Sequence, residues 1–120
     1  MAIDPAPEDL KAFAGADTGR PMVMVQLLRF AEGGRDKYLE YTAAMQPVLL
    51  SLGARVLYGG ECGEPLLAAQ KWDAVVVVRY PNHAAYLSML ADPVHAQLEP
   101  LRRSALQEVM LLPANDWAGR

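Results

Sequence analysis

The spacing of hydrophobic residues changes several times along this chain, and each change predicts a new element. Residues 22–28 are a short apolar run after a proline, rich in strand-forming side chains, and predict the first strand. From Asp36 to Leu52 the apolar positions recur at helical spacing, and Gly53 is suited to end that helix. Pro47 lies inside this pattern and predicts a kink, because proline lacks the backbone donor.

Three later segments also read as strands. Residues 54–58 are a short strand whose continuation bends or bulges at Gly59, Gly60 and Gly63. Residues 72–80, WDAVVVVRY, are the clearest strand of the chain. Residues 108–112, before a proline, are the last one.

Two helices are predicted between the third and fourth strands. Asn82 is suited to cap a helix through residue 90, and Asp92-Pro93 begins another that extends to about residue 106, with Pro100 bending it or ending it early. Residues 1–21 form an arm with a short helix at 8–14, and residues 114–120 form a tail. The order β-α-β-β-α-β predicts one α+β domain over residues 1–120, ferredoxin-like, with a four-stranded antiparallel sheet.

The strands also predict how the chain associates. Two helices of this length cover only one face of a four-stranded sheet. The run Ala74 to Val78 shows no apolar–polar alternation, and 52% of all residues are hydrophobic, so both faces are apolar. Because monomers rarely expose so large an apolar patch, we expect a homodimer formed through the sheet face. The alternative is a monomer with short core strands.

Charge and cysteine content exclude several classes of protein. The net charge of −3 and the scattered 11 basic residues argue against a nucleic-acid partner. No apolar stretch approaches the ~20 residues that span a bilayer, so a membrane protein is not expected. Cys62 is the one cysteine and the first residues lack the features of a secretory signal, which together predict a cytoplasmic protein.

The stretch MVMVQLLRF at residues 22–30 resembles VVMLNLLRF, the first-strand signature of the bacterial domain-of-unknown-function family numbered thirteen-thirty, in the dimeric α/β-barrel superfamily. The similarity extends over about residues 10–113. It is carried by Tyr38, Tyr41, Gly53-Ala54-Arg55, Trp72 to Val75, Arg79-Tyr80-Pro81, Ala84-Ala85-Tyr86, Leu90-Ala91-Asp92-Pro93, Arg102, Ala105 and Leu106.

The resemblance implies a dimer with its sheets face to face and brings no established activity. The wider superfamily includes cofactor-independent monooxygenases, lactone isomerases, haem enzymes and stress-induced proteins. This chain departs from the family pattern in places. Gln26 replaces an asparagine, His95 stands where an aromatic residue is common, and Pro100 and Leu101 occupy a site that often holds histidine, which argues against a shared acid–base role.

Three residues are candidates for catalysis. Gln26 is the only polar side chain inside the first strand; it either lines a pocket and holds a ligand carbonyl or bonds a neighbouring strand or loop. His95 lies in the first turn of its helix, where the dipole lowers its pKa, and is either a general base or a packing residue. Arg102 offers a fork of donors to a carboxylate or enolate, or forms a salt bridge with Asp73.

Substrate-binding candidates are Arg79, which shares the chemistry of Arg102, and the aromatic residues Tyr41, Trp72 and Tyr86, which either wall an apolar site or belong to the core. His83 is expected to be exposed. No histidine or cysteine spacing indicates a metal site, and no glycine pattern indicates a nucleotide, so no cofactor is expected.

Two functions remain open at this point. The first is a cofactor-independent oxygenase or isomerase that acts on a small, partly apolar carbonyl or carboxylate compound in a cleft between sheet and helices. In that enzyme Gln26 and Arg102 polarise the carbonyl and His95 moves a proton. The second is a non-catalytic dimer with a metabolite-binding, structural or stress-related role. Convergence of the three side chains on one cavity would favour the first function.

Overall fold

The structure is a computed structural model that describes residues 3–117. Its helices and strands follow the predicted order, including two separate helices between the third and fourth strands. They are α1 (Pro7–Gly15), β1 (Met22–Phe30), α2 (Gly34–Ser51), β2 (Arg55–Glu61), β3 (Ala74–Tyr80), α3 (His83–Ala91), α4 (Pro93–Ala105) and β4 (Leu106–Ala114).

The four strands form one antiparallel sheet in the order β2-β3-β1-β4. In the central pair, Gln26 of β1 lies opposite Val76 of β3, and on the other side it lies opposite Leu111 of β4. The α+β class, the antiparallel sheet and the split β-α-β order predicted from the sequence are confirmed.

The helices pack on one face of the sheet, and strand alternation determines which side chains they cover. Met22, Met24 and Leu28 are buried beneath the helices, whereas the intervening side chains of β1 are only half-buried. The same alternation continues across β3 and β4. We call the opposite side of the sheet the open face; it carries Val23, Val25, Leu27, Val75, Val77, Met110 and Leu112.

The helix caps follow the sequence signals. The Asn82 side chain accepts a hydrogen bond from Ala85 N at 2.8 Å, and the Asp92 side chain accepts one from Val94 N at 2.8 Å. Gly34 is required at the start of α2, because a Cβ atom there would overlap the backbone carbonyl of Ala105.

Several local predictions need correction. Helix α4 passes Pro100 and ends five residues later at Ala105, so this proline does not end the helix early. Helix α2 continues past Pro47 to Ser51, and the kink predicted there stays a prediction. The irregularity of β2 lies between Val56 and Tyr58, where the register with β3 shifts, and not at the glycines that follow. Strand β3 begins at Ala74 and not two residues earlier, because Asp73 is used in a bend.

Within residues 3–117, no helix is long and apolar enough to cross a membrane.

Candidate functional site

A cavity of about 80 Å³ lies between the covered face of the sheet and the helices. We call it the tyrosine cavity. Its polar lining consists of Gln26, Tyr38, Tyr41, Thr42, Tyr80, Tyr86, His95, Arg102 and Asp4, and the apolar remainder includes Met45, Val76, Met89 and Leu111. The three predicted catalytic side chains, which are far apart in the sequence, therefore line one space.

Gln26 reaches the cavity because it shares its strand face with Met24 and Leu28, which are buried beneath the helices. Its side-chain amide makes no hydrogen bond to any residue the structure describes. The structure therefore shows no bond from the Gln26 side chain to a neighbouring strand or loop within residues 3–117. An amide offers two donors and an acceptor, and in Gln26, which lines the cavity, none of them has a partner among residues 3–117.

Four tyrosine side chains surround the same space, and the sequence predicted only Tyr41 and Tyr86. Tyr38 lies one helical turn before Tyr41, with ring centroids 5.6 Å apart. Tyr80 ends β3 and meets Tyr86 edge to face at 5.3 Å. No hydroxyl of the four bonds another described residue.

The tyrosine hydroxyls are held in their protonated form. Burial raises the pKa of Tyr38 to about 12, and burial also raises the pKa values of Tyr41, Tyr80 and Tyr86. Each hydroxyl at neutral pH can thus donate one hydrogen bond and accept others. The ring of donors suits an oxygen atom of a bound molecule.

Arg102 is buried, with 8% of its surface exposed, and its guanidinium is already engaged. Nη1 donates to Asp4 Oδ1 at 2.8 Å and lies 3.4 Å from Glu99 Oε1, and Nη2 donates to the backbone carbonyl of Ile3 at 2.9 Å. The predicted partner, Asp73, lies elsewhere and accepts a hydrogen bond from Phe30 N at 2.8 Å. Arg102 therefore forms a salt bridge, but its partner is Asp4 near the N-terminus and not Asp73.

His95 is also buried, and its Nε2 lies 3.5 Å from Glu99 Oε1. Burial lowers the pKa of His95, with Arg102 acting in the same direction and Glu99 opposing it. The direction agrees with the sequence expectation, although its main cause is desolvation. A neutral imidazole at pH 7 can accept a proton, which is what a general base requires.

Two predicted substrate-binding residues lie away from the cavity. Arg79 alternates with Val78 and Tyr80, so it points to the opposite side of the sheet, where it is exposed opposite Arg55. Trp72 precedes β3, and its ring lies 5.3 Å from the guanidinium of Arg29.

His83 is not exposed, as the sequence suggested, but buried. Its Nδ1 lies 2.8 Å from the carbonyl of Phe13, and the two rings stack at 4.1 Å. It therefore anchors α1 to α3. Residues 3–117 contain no cluster of three histidine, cysteine or acidic side chains that could hold a metal ion.

Comparison with solved structures supports the fold. A protein of unknown function from Rhodopseudomonas palustris is 28% identical, with a TM-score of 0.84 over 92% of this chain and 93% of the other. A dimeric ferredoxin-like protein of unknown function from Jannaschia sp. is 12% identical, with a TM-score of 0.65 over 80% of this chain and 99% of the other.

A third similar structure is a proposed antibiotic biosynthesis monooxygenase from Bacteroides thetaiotaomicron, 20% identical, with a TM-score of 0.62 over 82% of this chain and 90% of the other. The last two likenesses concern the fold alone, and they confirm that it is ferredoxin-like. Among curated proteins, none matches this chain.

The family comparison agrees with the resemblance found in the sequence. The match includes Trp72, Asp73 and the Asp92-Pro93 pair. It also includes every residue that lines the tyrosine cavity except Asp4, Pro5 and Gln26, which precede residue 29. Because the match extends from residue 29 to residue 114, the chain belongs to the family of domains of unknown function DUF1330.

Proposed function

We propose that this protein binds a small, partly apolar carbonyl or carboxylate compound in the tyrosine cavity. The observation that supports it is the set of polar groups left without a protein partner: the Gln26 amide and four tyrosine hydroxyls. These atoms open onto the cavity, where water or a ligand can reach them, and a polar group in such a partly buried place that finds no hydrogen-bond partner costs up to about 1–3 kcal/mol. A fold retains several such groups around one space most economically where a ligand or water satisfies them.

The same residues can perform chemistry on a carbonyl compound without a cofactor. In the proposed step, His95 takes a proton from the carbon next to the carbonyl, the C–H electron pair forms a C=C bond, and the C=O π pair moves to the oxygen. Gln26 and a tyrosine hydroxyl hydrogen-bond the resulting enolate oxygen. An isomerase returns the proton to a different carbon. An oxygenase joins that carbon to dioxygen, and loss of water converts the CH₂ group into a second carbonyl.

We also propose that the protein is a homodimer in the cytoplasm. The open face carries valine, leucine and methionine side chains that no described element covers, and a second copy would bury them. The Jannaschia protein, which shares the fold, is dimeric. The single cysteine, Cys62, suits a reducing compartment.

A non-catalytic binding protein is the second candidate function, and one observation favours it. Arg102, the cation expected to hold the ligand, is occupied by Asp4. With its guanidinium bound by Asp4, Arg102 is not free to polarise a substrate carbonyl, and the cavity would then bind and release a metabolite without transforming it. Catalysis and binding are therefore tested separately.

The binding proposal is tested with protein labelled with ¹³C on the methionine methyl groups and titrated with 2-butanone. Met45 and Met89 line the cavity, whereas Met110 lies on the open face. We expect the first two signals to shift while Met110 stays fixed, and we expect Gln26→Leu to weaken the response.

The matched control is Gln107→Leu, which changes an exposed glutamine of β4. If 2-butanone and acetate both leave the Met45 and Met89 signals unchanged, or if both glutamine variants respond alike, the binding proposal is wrong.

Catalysis is measured as exchange of the α-hydrogens of 2-butanone in D₂O. Exchange that His95→Gln abolishes supports the enzyme, and binding without exchange supports the non-catalytic protein.

A further inference from the structure

The residues before α1 act as the wall of the tyrosine cavity. We call residues 3–6 the N-terminal strap; within it, Asp4 and Pro5 line the cavity. Asp4 spans two cations, bonding Arg102 through one carboxylate oxygen and Arg103 through the other. The Ile3 carbonyl accepts a second bond from Arg102. These contacts join residues almost a full chain length apart, and they hold the strap closed.

A second cavity of about 350 Å³ lies on the other side of the strap, beneath α1. We call it the α1 cavity. Its lining is mainly apolar and consists of Ile3, Pro5, Leu10, Phe13, Met24, Val109, Leu111 and Pro113, with Asp4, Asp9 and Tyr86. Asp4, Pro5, Tyr86 and Leu111 line both cavities. The strap is thus the partition between them.

Size indicates that the two spaces form one site. The tyrosine cavity alone, at about 80 Å³, holds only a few heavy atoms. Ligand pockets for ordinary metabolites occupy about 300–1,000 Å³. The α1 cavity reaches that range, and if the strap moves away the small polar chamber opens into it, so that one ligand can occupy both.

Charge decides which molecules require the strap to move. Arg102 and Arg103 face the carboxylates of Asp4 and Glu99, so the cluster is balanced while the strap is closed. A third carboxylate in this partly buried place would leave the cluster with net negative charge, which is costly. An anionic ligand therefore binds Arg102 only in exchange for Asp4, whereas a neutral one is not subject to that competition.

The residues that line the two cavities indicate which chemical groups of a ligand each cavity would hold. An apolar group in the tyrosine cavity would leave the Gln26 amide and the hydroxyls unpaired, so this chamber favours an oxygen-bearing group or water. The α1 cavity offers mostly apolar surface, which favours a hydrocarbon group. Asp4 lies at the junction of the two.

We propose that the ligand is a carboxylic acid with an apolar body, whose carboxylate replaces that of Asp4 on Arg102 and whose body fills the α1 cavity. The N-terminal strap is the gate that this exchange opens. The proposal rests on the proposed function and deepens it, because it names the ligand class and the group that competes for the site.

The test compares octanoate with octanamide, which has the same tail and no charge. Affinities are measured by isothermal titration calorimetry, and the position of binding is read from the ¹³C methionine spectrum. We expect Asp4→Asn to bind octanoate about tenfold more tightly than the unmodified protein, since a charged competitor is removed. Octanamide affinity should change less than twofold. Met24, in the α1 cavity, should shift and Met110 should not.

Glu8→Gln is the matched control, because it removes a negative charge from the neighbouring α1 at an exposed position outside both cavities. Equal octanoate affinity in Asp4→Asn and Glu8→Gln overturns the proposal, as does a shift of Met110 without Met24. If 2-butanone binds in the tyrosine cavity but octanoate binds no variant, the inference fails and the proposed function stands. If octanoate binds no variant and neither 2-butanone nor acetate shifts the Met45 and Met89 signals, both fail.

Discussion

Replacing Arg102 with methionine tests the contact that closes the site. Methionine keeps the apolar stem of the side chain and removes the guanidinium. The change deletes the hydrogen bonds to Asp4 and to the Ile3 carbonyl and leaves the Asp4 and Glu99 carboxylates facing one fewer cation. We therefore expect both a loss of stability and a loosened strap.

The magnitude follows from burial. Removing one member of a fully buried ion pair costs about 3–5 kcal/mol. Here the carboxylates can relax towards water, because the side chains of Asp4 and Glu99 are 36% and 23% exposed. Hydrogen bonds to charged groups contribute about 1.5–3 kcal/mol, so we expect Arg102→Met to lower the free energy of unfolding by about 2–3 kcal/mol.

The control is Arg103→Met, because Arg103 pairs with the same two carboxylates and is 58% exposed. It should cost at most about 1 kcal/mol. Urea unfolding is followed by fluorescence at one fixed protein concentration, since the stability of a dimer depends on it. In a double-mutant cycle, Asp4→Asn should remove part of the Arg102 effect. Equal losses in the two arginine variants, or no coupling to Asp4, would refute the reasoning.

Three further predictions concern the open face, pH and helix packing. Val77→Asp should yield a monomer by light scattering, because this residue lies on the open face, whereas Val76→Asp should lower the melting temperature, because it faces the core; a Val77→Asp dimer would contradict the interface. Because burial lowers the folded-state pKa of His95, the unfolded chain binds more protons below about pH 6.5, and stability should fall with decreasing pH from there. In His95→Gln the free energy of unfolding should fall less as the pH decreases. An unchanged pH dependence, measured by urea unfolding, would contradict this role of His95. Gly34→Ala should destabilise by at least about 2 kcal/mol through overlap with a backbone carbonyl, whereas Gly15→Ala, which has open space, should be nearly neutral in the same assay.

Local patterns in the sequence predict the fold because they repeat over many residues. The caps at Asn82 and Asp92 and the strand content of residues 74–80 each depend on short-range chemistry, and the structure agrees. Helix α2 continues for four residues beyond Pro47, where packing against α4 supports it although proline removes a backbone hydrogen bond; the kink at Pro47 stays a prediction.

The sequence predicted the place of Gln26 in the cavity correctly and that of Arg79 wrongly, and strand alternation explains both results. Gln26 lies two residues from Met24 and Leu28, so its direction followed once those residues were assigned to the core. Arg79 is two residues from Val77 and lies with it on the open face, which a run of consecutive valines could not reveal.

Asp4 was missed because nothing in a sequence marks contacts between distant segments. It is a single acidic residue in the short segment before α1, and it lies 98 positions from Arg102 in the sequence. The cavity tyrosines carried a weak signal: Tyr38 is one helical turn from Tyr41, and this spacing is typical of core residues as well.

The central claim is that the cavity keeps polar groups unpaired within the protein so that they can bind a ligand. The most direct test is the free energy of unfolding of Gln26→Leu without ligand, compared with Gln107→Leu. Because leucine removes a half-buried amide that has no partner among the described residues and adds apolar contact, we expect Gln26→Leu to raise the stability by up to about 1 kcal/mol. A fall of that size would show that the amide already has partners within the protein, and it would contradict the account.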